Sequence, residues 1–126
     1  MSKNNSIELG IGEDHTFPCS ILNAAENAAV NITGWVLSWM IKRDPNDADS
    51  AAILTKTTTN SGITISGIFN SSISANTQVA TIAILDTDTD ALLPGVYYHE
   101  LKRMDPSAET TLITGLLNLV QRVHHA

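Results

Sequence analysis

The stretch LLPGVYYHELKR, residues 92–103, decides how the rest of the chain is interpreted. Pro94 fixes its own φ and disfavours the helical region at Leu93, and Gly95 tolerates the turn that follows. A helix is therefore not expected to cross this point. The residues after the turn are rich in types that suit a pleated, half-buried strand. Alternation predicts two faces for this strand, with Tyr97, His99 and Leu101 on one and Val96, Tyr98, Glu100 and Lys102 on the other.

Two adjacent tyrosines stand near the start of this predicted strand. A buried tyrosine needs a partner for its hydroxyl group, and at the corners of β-sandwiches that partner is a backbone group in an adjoining loop. The sequence predicts this bond for either Tyr97 or Tyr98 and leaves the choice between them open.

The clearest alternation in the chain lies further upstream. Trp35, Leu37, Trp39 and Ile41 are apolar residues at strict two-residue spacing. This spacing is typical of a strand with one buried face, so we expect it to be the central core strand.

Further segments also favour extended structure. An edge strand is predicted by the alternation of Ile7, Leu9 and Ile11. The run 15–22 is expected to lie at an edge or to contain a bulge, because Pro18 has no N–H group to donate to a neighbouring strand. Residues 110–121 also fit a helical stripe, but their threonines and the preceding turn at 104–109 favour a strand. The other strand candidates are 51–57, 62–67 and 78–85, and residues 86–92 are expected to hold one capped helical turn.

These short strands, separated by turns and without a long helix, predict an all-β fold. The expected architecture is an immunoglobulin-like Greek-key β-sandwich of about seven strands, with a barrel as the main rival. The 126 residues have the usual size of one domain. We therefore expect residues 1–126 to form a single domain with a short flexible N-terminus and a C-terminal tail.

Composition bears on the classes of partner. Thirteen acidic residues against seven basic ones give a net charge of −6. This charge disfavours nucleic acid and anionic membranes through repulsion. The chain has no apolar run of membrane-spanning length and its polar opening lacks the apolar centre of a signal peptide. The single Cys19 rules out an internal disulfide and is expected to be a buried, inert side chain.

One acidic run is a candidate metal site. Asp86, Asp88 and Asp90 alternate like the first three ligands of a calcium loop. The pattern is incomplete, because Ala91 stands where the loop needs glycine and Tyr97 stands where it needs a bidentate glutamate. A solvated acidic loop with a helix cap is the favoured interpretation, and no cofactor is expected. The second acidic loop, residues 44–49, is a similar candidate that could share an ion with the first.

The sequence contains no convergent set of catalytic groups. Its four histidines are scattered without the spacing of a zinc site, and none of its serines lies in a nucleophile elbow. We therefore expect a protein that is not an enzyme. The pairs Lys42-Arg43 and Lys102-Arg103 would converge if their strands were neighbours, as either solvated strand ends or a docking patch for an acidic partner.

Several of these segments together carry a resemblance that spans about residues 7–120. The chain resembles a family of small immunoglobulin-like virion proteins of tailed bacteriophages, which includes domains similar to the N-terminal part of baseplate proteins. The segments that carry this resemblance are Asn31-Ile32-Thr33-Gly34, Met40-Ile41-Lys42-Arg43-Asp44, Gly62-Ile63-Thr64-Ile65, Leu93-Pro94-Gly95-Val96-Tyr97-Tyr98 and residues 112–120.

This resemblance implies a non-catalytic structural protein of the virion, either a capsid decoration or cement protein or a tail or baseplate subunit. Its implied partners are other capsid or tail and baseplate subunits and further copies of itself, with no nucleic acid and no membrane. Because edge strands and tails invite pairing, the expected contact residues are Ile7, Leu9, Ile11, Leu117, Leu119, Val123 and His124. The alternative is a carbohydrate-binding or host-receptor-binding module, for which Tyr98 and Trp35 are the candidate exposed aromatics.

Overall fold

The structure is a computed structural model that describes residues 3–4, 6–19, 21, 30–69 and 78–121. One short helix, α1, spans Asp86–Thr89, and a single 3-10 turn spans Asp49–Ala51. All other regular structure in these ranges is extended. The strands are β1 Lys3–Asn4, β2 Ile7–Gly10, β3 His15–Cys19, β4 Leu37–Lys42, β5 Leu54–Thr57, β6 Ile63–Ser66, β7 Val79–Ile84, β8 Gly95–Arg103 and β9 Thr110–Val120.

The strands form two sheets. The larger sheet has the order β9-β8-β4-β5, and β1 and β2 both pair in parallel with the outer side of β9. The smaller sheet has the order β3-β7-β6, with antiparallel pairing throughout. The chain changes sheets four times, between β2 and β3, between β3 and β4, between β5 and β6, and between β7 and β8. Consecutive strands are therefore distributed over both layers.

This arrangement confirms the predicted all-β sandwich. The sheets correspond to the immunoglobulin pattern in which strands G, F, C and C′ form one layer and strands B, E and D form the other. The described residues form nine strands rather than about seven, and two of them, β1 and β2, both pair with the same side of β9. No helix in the described part of the chain is long and apolar enough to cross a membrane.

The predicted central strand lies at the centre of the core. Strand β4 is flanked by β8 and β5, and its inward side chains Leu37, Trp39 and Ile41 are completely buried. Trp35 precedes the strand and is only half-buried. Its ring lies under the guanidinium group of Arg103, which is 4.0 Å from the ring centroid.

Local sequence signals account for several details of the sheets. Pro18 lies in β3, which is at the edge of the smaller sheet, as its missing N–H group requires. Gly95 begins β8 with a φ of +152°, a conformation that residues with a Cβ atom rarely adopt. Residues 110–120 form a strand and not a helix, with a register shift against β8 that leaves Leu112 as an extra residue.

The structure at the start of β8 shows which of the two tyrosines bonds to the backbone. The hydroxyl group of Tyr97 donates a hydrogen bond of 2.8 Å to the carbonyl oxygen of Leu93. This is the tyrosine corner of immunoglobulin-like domains. Tyr97 faces the core, whereas Tyr98 lies on the other face of the sheet and is half-buried.

The helical turn before the Pro-Gly break is present as predicted. Helix α1 follows Leu85, and the carboxylate of Asp88 accepts a hydrogen bond of 2.7 Å from the Leu85 N–H group. Thr89 at the end of the turn is completely buried, and its hydroxyl group accepts a hydrogen bond of 3.0 Å from the Gly12 N–H group. The turn is therefore anchored to the loop between β2 and β3.

Candidate binding surface on the outer face of strands β8 and β9

Strand β8 has one side chain row toward the core and one away from it, as its alternation predicts. Tyr97, His99 and Leu101 are buried between the sheets. The outward row consists of Val96, Tyr98, Glu100 and Lys102, and these residues lie opposite Asn118, Leu116, Thr114 and Thr111 of β9. This outward row and its β9 partners form the outer face of β8 and β9.

A groove of about 260 Å³ lies on this surface. Its lining includes Pro45, which belongs to the loop that follows β4, and Leu116 on β9. The groove is lined by Pro45, Tyr98, His99, Glu100, Thr114, Gly115 and Leu116.

Large apolar side chains are exposed beside the groove. Val96 is 60 % exposed and Leu116 is 47 % exposed, and Tyr98 lies next to Leu116 in the sheet register. Exposed apolar residues that stand alone are common, but a contiguous group on a sheet is typical of an interaction site. We call Val96, Tyr98, Leu116 and Pro45 the apolar patch.

A charged cluster lies on the same outer face, beside the groove. Lys42 at the end of β4 is buried, and its Nζ lies 2.6 Å from Glu100 Oε1 and 2.9 Å from Asp49 Oδ1. Lys102 Nζ lies 3.0 Å from the same Asp49 oxygen and 3.5 Å from Glu100 Oε1. The positive charges of the two ammonium groups are therefore balanced by the negative charges of the two carboxylates.

The pKa values of the cluster reflect this pairing. Burial by itself would lower the pKa of Lys42, but the contacts with Glu100 and Asp49 outweigh it and raise the pKa above its ordinary value. Hydrogen bonds from Lys42 and Lys102 lower the pKa of Asp49, against the smaller effect of its partial burial. All of these contacts therefore favour the charged forms at neutral pH.

The cluster also holds the loop that forms one wall of the groove. Lys42 Nζ donates a hydrogen bond of 3.0 Å to the carbonyl oxygen of Asp47, in addition to its contact with Asp49. Within the loop, Asp44 accepts a hydrogen bond from the Asn46 N–H group and Asp47 accepts one from the Asp44 N–H group. The position of Pro45 is thus determined by hydrogen bonds on both sides of it.

Of the basic pairs Lys42-Arg43 and Lys102-Arg103, only the two lysines come together. Lys42 and Lys102 meet at Asp49, because β4 and β8 are neighbours. Arg43 and Arg103 do not meet, since they lie at opposite ends of this strand pair, over the rings of Tyr97 and Trp35. The lysines are neutralised within the chain, so they do not form the docking patch for an acidic partner that the sequence left open.

The first acidic loop does not bring its three carboxylates together as ligands. Asp88 caps α1 and lies 2.6 Å from Lys56 Nζ, and Asp86 accepts a hydrogen bond from the Thr87 N–H group. Asp90 is exposed. Across the described ranges, no group of three or more His, Cys, Asp or Glu side chains is arranged to hold a metal ion.

The predicted contact residues have different locations. Leu9, Ile11, Leu117 and Leu119 are buried in the core of the chain itself, so their side chains are not available to a partner in this folded state. Their alternation reflects packing between the two sheets and not the partner-binding edge that the sequence predicts. Ile7 is half-buried and packs against the same core, and Val123 and His124 lie outside the described residues.

The groove contains few groups capable of acid or base chemistry. Glu100 contributes the carboxylate and Tyr98 contributes a phenol, whereas the imidazole of His99 faces the core, where it contacts Trp39 and Phe17. The arrangement suits recognition by shape, charge and hydrogen bonding. The prediction that the protein is not an enzyme stays a prediction.

Sequence reasoning found the outward row of β8 but not the site it belongs to. Alternation placed Glu100 and Lys102 on one face, yet no pattern linked them to Asp49, which is 51 residues earlier than Glu100. Pro45 and Leu116 likewise lie in separate elements that are distant in the sequence. Comparison with known proteins finds no family model and no curated protein that matches the chain.

Proposed function

We propose that this protein is a non-catalytic structural subunit that binds neighbouring subunits through the apolar patch. The observation that carries the proposal is the exposure of Val96 and Leu116 beside Tyr98 on an otherwise well-packed sheet. Burying such side chains against a partner would contribute roughly 25 cal/mol per Å² of apolar surface. A rigid sheet also loses little conformational freedom on binding.

We further propose, from the resemblance described above, that the assembly is the virion of a tailed bacteriophage. The subunit would be a capsid decoration or cement protein or a tail or baseplate subunit, in repeated copies. A compact acidic sandwich is compatible with this role, because repeated protein contacts need no recognition of nucleic acid.

The first test is mass spectrometry of purified phage particles from the genome that encodes the chain. We expect the protein among the virion components in an amount that reflects the particle symmetry. Particles that assemble in its presence and do not contain it would contradict the proposed virion role.

The second test addresses the surface. Val96→Lys places a charge in the apolar patch and is expected to prevent incorporation into particles. The matched control is Ile68→Lys, which adds the same charge at a residue that is 84 % exposed and follows β6 in the other sheet. Equal incorporation of both variants would exclude the apolar patch as the contact surface.

A second candidate function is a carbohydrate-binding or receptor-binding module. The observation that favours it is the groove, in which the Tyr98 ring, the Glu100 carboxylate and the Thr114 hydroxyl group lie together. Aromatic rings and such polar groups are suited to the faces and hydroxyl groups of sugars. A glycan array probed with the wild-type protein and with Tyr98→Ala would separate this function from a purely structural one.

A further inference from the structure

The groove beside Glu100 has the features of a site for one charged side chain. Its volume of about 260 Å³ lies below the roughly 300–1,000 Å³ typical of sites that enclose a drug-sized molecule. The walls formed by Tyr98, Pro45 and Leu116 are apolar, and Glu100 supplies the charge among the lining residues. A long side chain with an apolar stem and a polar end matches such a groove.

Glu100 retains the capacity to accept hydrogen bonds. Its Oε1 atom is buried and lies 2.6 Å from Lys42 Nζ, and no group in the described part of the chain donates a hydrogen bond of suitable geometry to it. An ionised carboxylate offers about four acceptor positions. A donor that enters the groove could therefore bind this carboxylate while its ion pair with Lys42 remains.

The surrounding charge favours a cationic occupant. The positive charges of Lys42 and Lys102 are matched by Asp49 and Glu100, and the loop that forms the wall adds Asp44 and Asp47 against Arg43. The chain as a whole has a net charge of −6, which disfavours an acidic partner. The Tyr98 ring can also attract a cation at its face.

We infer that this groove receives a lysine or arginine side chain from a basic, partly apolar segment of a partner protein. The stem of that side chain lies between Tyr98 and Leu116, and its cationic group binds Glu100. This inference rests on the proposed function, because it identifies the chemistry of the partner that docks on the apolar patch.

The test is an NMR titration of the ¹⁵N-labelled protein with acetyl-Leu-Lys-Leu-amide. The matched probe is the same peptide with an acetylated lysine, which keeps the stem and removes the charge. We expect saturable shifts of the Tyr98, Gly115 and Leu116 amide signals with the first peptide at millimolar concentration. Binding of the acetylated peptide is expected to be at least about tenfold weaker, a difference of about 1.4 kcal/mol.

Two variants test the residues. Glu100→Gln removes the charge of the carboxylate and is expected to weaken binding of the lysine peptide by at least about tenfold. If Glu100→Gln loses its folded spectrum, Leu116→Lys is used in its place. This variant puts a cation at an exposed position of the groove wall and is expected to weaken binding of the lysine peptide. Ile68→Lys is the control for added charge and is expected to bind the peptide as the wild-type protein does.

Several results would overturn the inference. They are the absence of saturable shifts, shifts confined to another surface, equal binding of the acetylated peptide, or unchanged binding by a folded Glu100→Gln or Leu116→Lys variant. A neutral disaccharide such as lactose, if it alone shifts the groove signals, would assign the groove to sugars instead. The proposed function is tested by incorporation into particles and by its loss in Val96→Lys, and neither result depends on Glu100. The proposed function can therefore stand when this inference fails.

Discussion

The indole N–H group of Trp39 donates a hydrogen bond of 3.1 Å to Nδ1 of His99 in the interior of the sandwich. His99 lies two residues after the corner tyrosine, where immunoglobulin domains have the second cysteine of their inter-sheet disulfide. The imidazole also packs edge-on against Phe17 of the opposite sheet, with ring centroids 5.9 Å apart. A histidine thus connects the two sheets in a chain whose single cysteine cannot form an internal bridge.

The first prediction concerns this pair. His99→Phe keeps an aromatic ring against Phe17 but leaves the buried indole N–H of Trp39 without its acceptor, which is expected to lower the free energy of unfolding by about 1–3 kcal/mol. Urea unfolding monitored by fluorescence or circular dichroism measures the change. In a Trp39→Phe background the same substitution is expected to cost about 1 kcal/mol less, and strictly additive effects would exclude the coupling.

The second prediction concerns the tyrosine corner. Tyr97→Phe removes the hydrogen bond to the Leu93 carbonyl and is expected to lower the free energy of unfolding by about 0.5–1.5 kcal/mol. Tyr98→Phe is the matched control, and we expect it to change stability by less than about 0.5 kcal/mol. Equal losses in the two variants, measured by urea unfolding, would contradict the assignment of the corner to Tyr97.

The third prediction concerns the contact between α1 and the loop after β2. Thr89→Val preserves the side chain shape but removes the acceptor of the Gly12 N–H group, in a buried position. Leaving this donor unpaired is expected to destabilise the fold by about 1–3 kcal/mol. Thr87→Val, on the exposed side of the same turn, controls for the change in helix propensity, and thermal or urea unfolding of both variants provides the comparison.

The fourth prediction concerns pH. The pKa of Asp49 is lowered from its ordinary value of 3.8 by hydrogen bonds from Lys42 and Lys102. Its contribution to stability is therefore complete above pH 3.8 and is lost as the pH falls through the lowered pKa of the folded state. The pKa of Lys42 is raised above 10.5, so its contribution is complete below pH 10.5 and is lost at higher pH.

Urea unfolding from about pH 7 to about pH 2 measures the acid limb of this dependence. We expect Asp49→Asn to be less stable than the wild-type protein at neutral pH, with a difference that shrinks as the pH falls below 3.8. The control is Asp90→Asn, which removes an exposed carboxylate for which the described residues form no ion pair. A difference between Asp49→Asn and wild type that stays constant across this range would exclude the pairing as its cause.

Much of the architecture follows from patterns that are local in the sequence. The two-residue alternation of Trp35 to Ile41, the Pro94-Gly95 turn and Pro18 correctly indicate a core strand, a chain reversal and an edge strand. These signals are reliable because each depends on the conformational limits of one residue or on the alternation of side chains along one strand. The same locality explains why the side chain rows of β8 were predicted correctly.

Other features were settled by how the strands come together in three dimensions. Sequence could not choose between Tyr97 and Tyr98, and it assigned Leu9, Ile11, Leu117 and Leu119 to contacts although they fill the core. It also could not bring Asp49 to Lys42 and Glu100, or Pro45 to Leu116. Alternation identifies the two faces of a strand, but only the pairing of strands and the packing of the two sheets decide which face is buried and which distant side chains become neighbours.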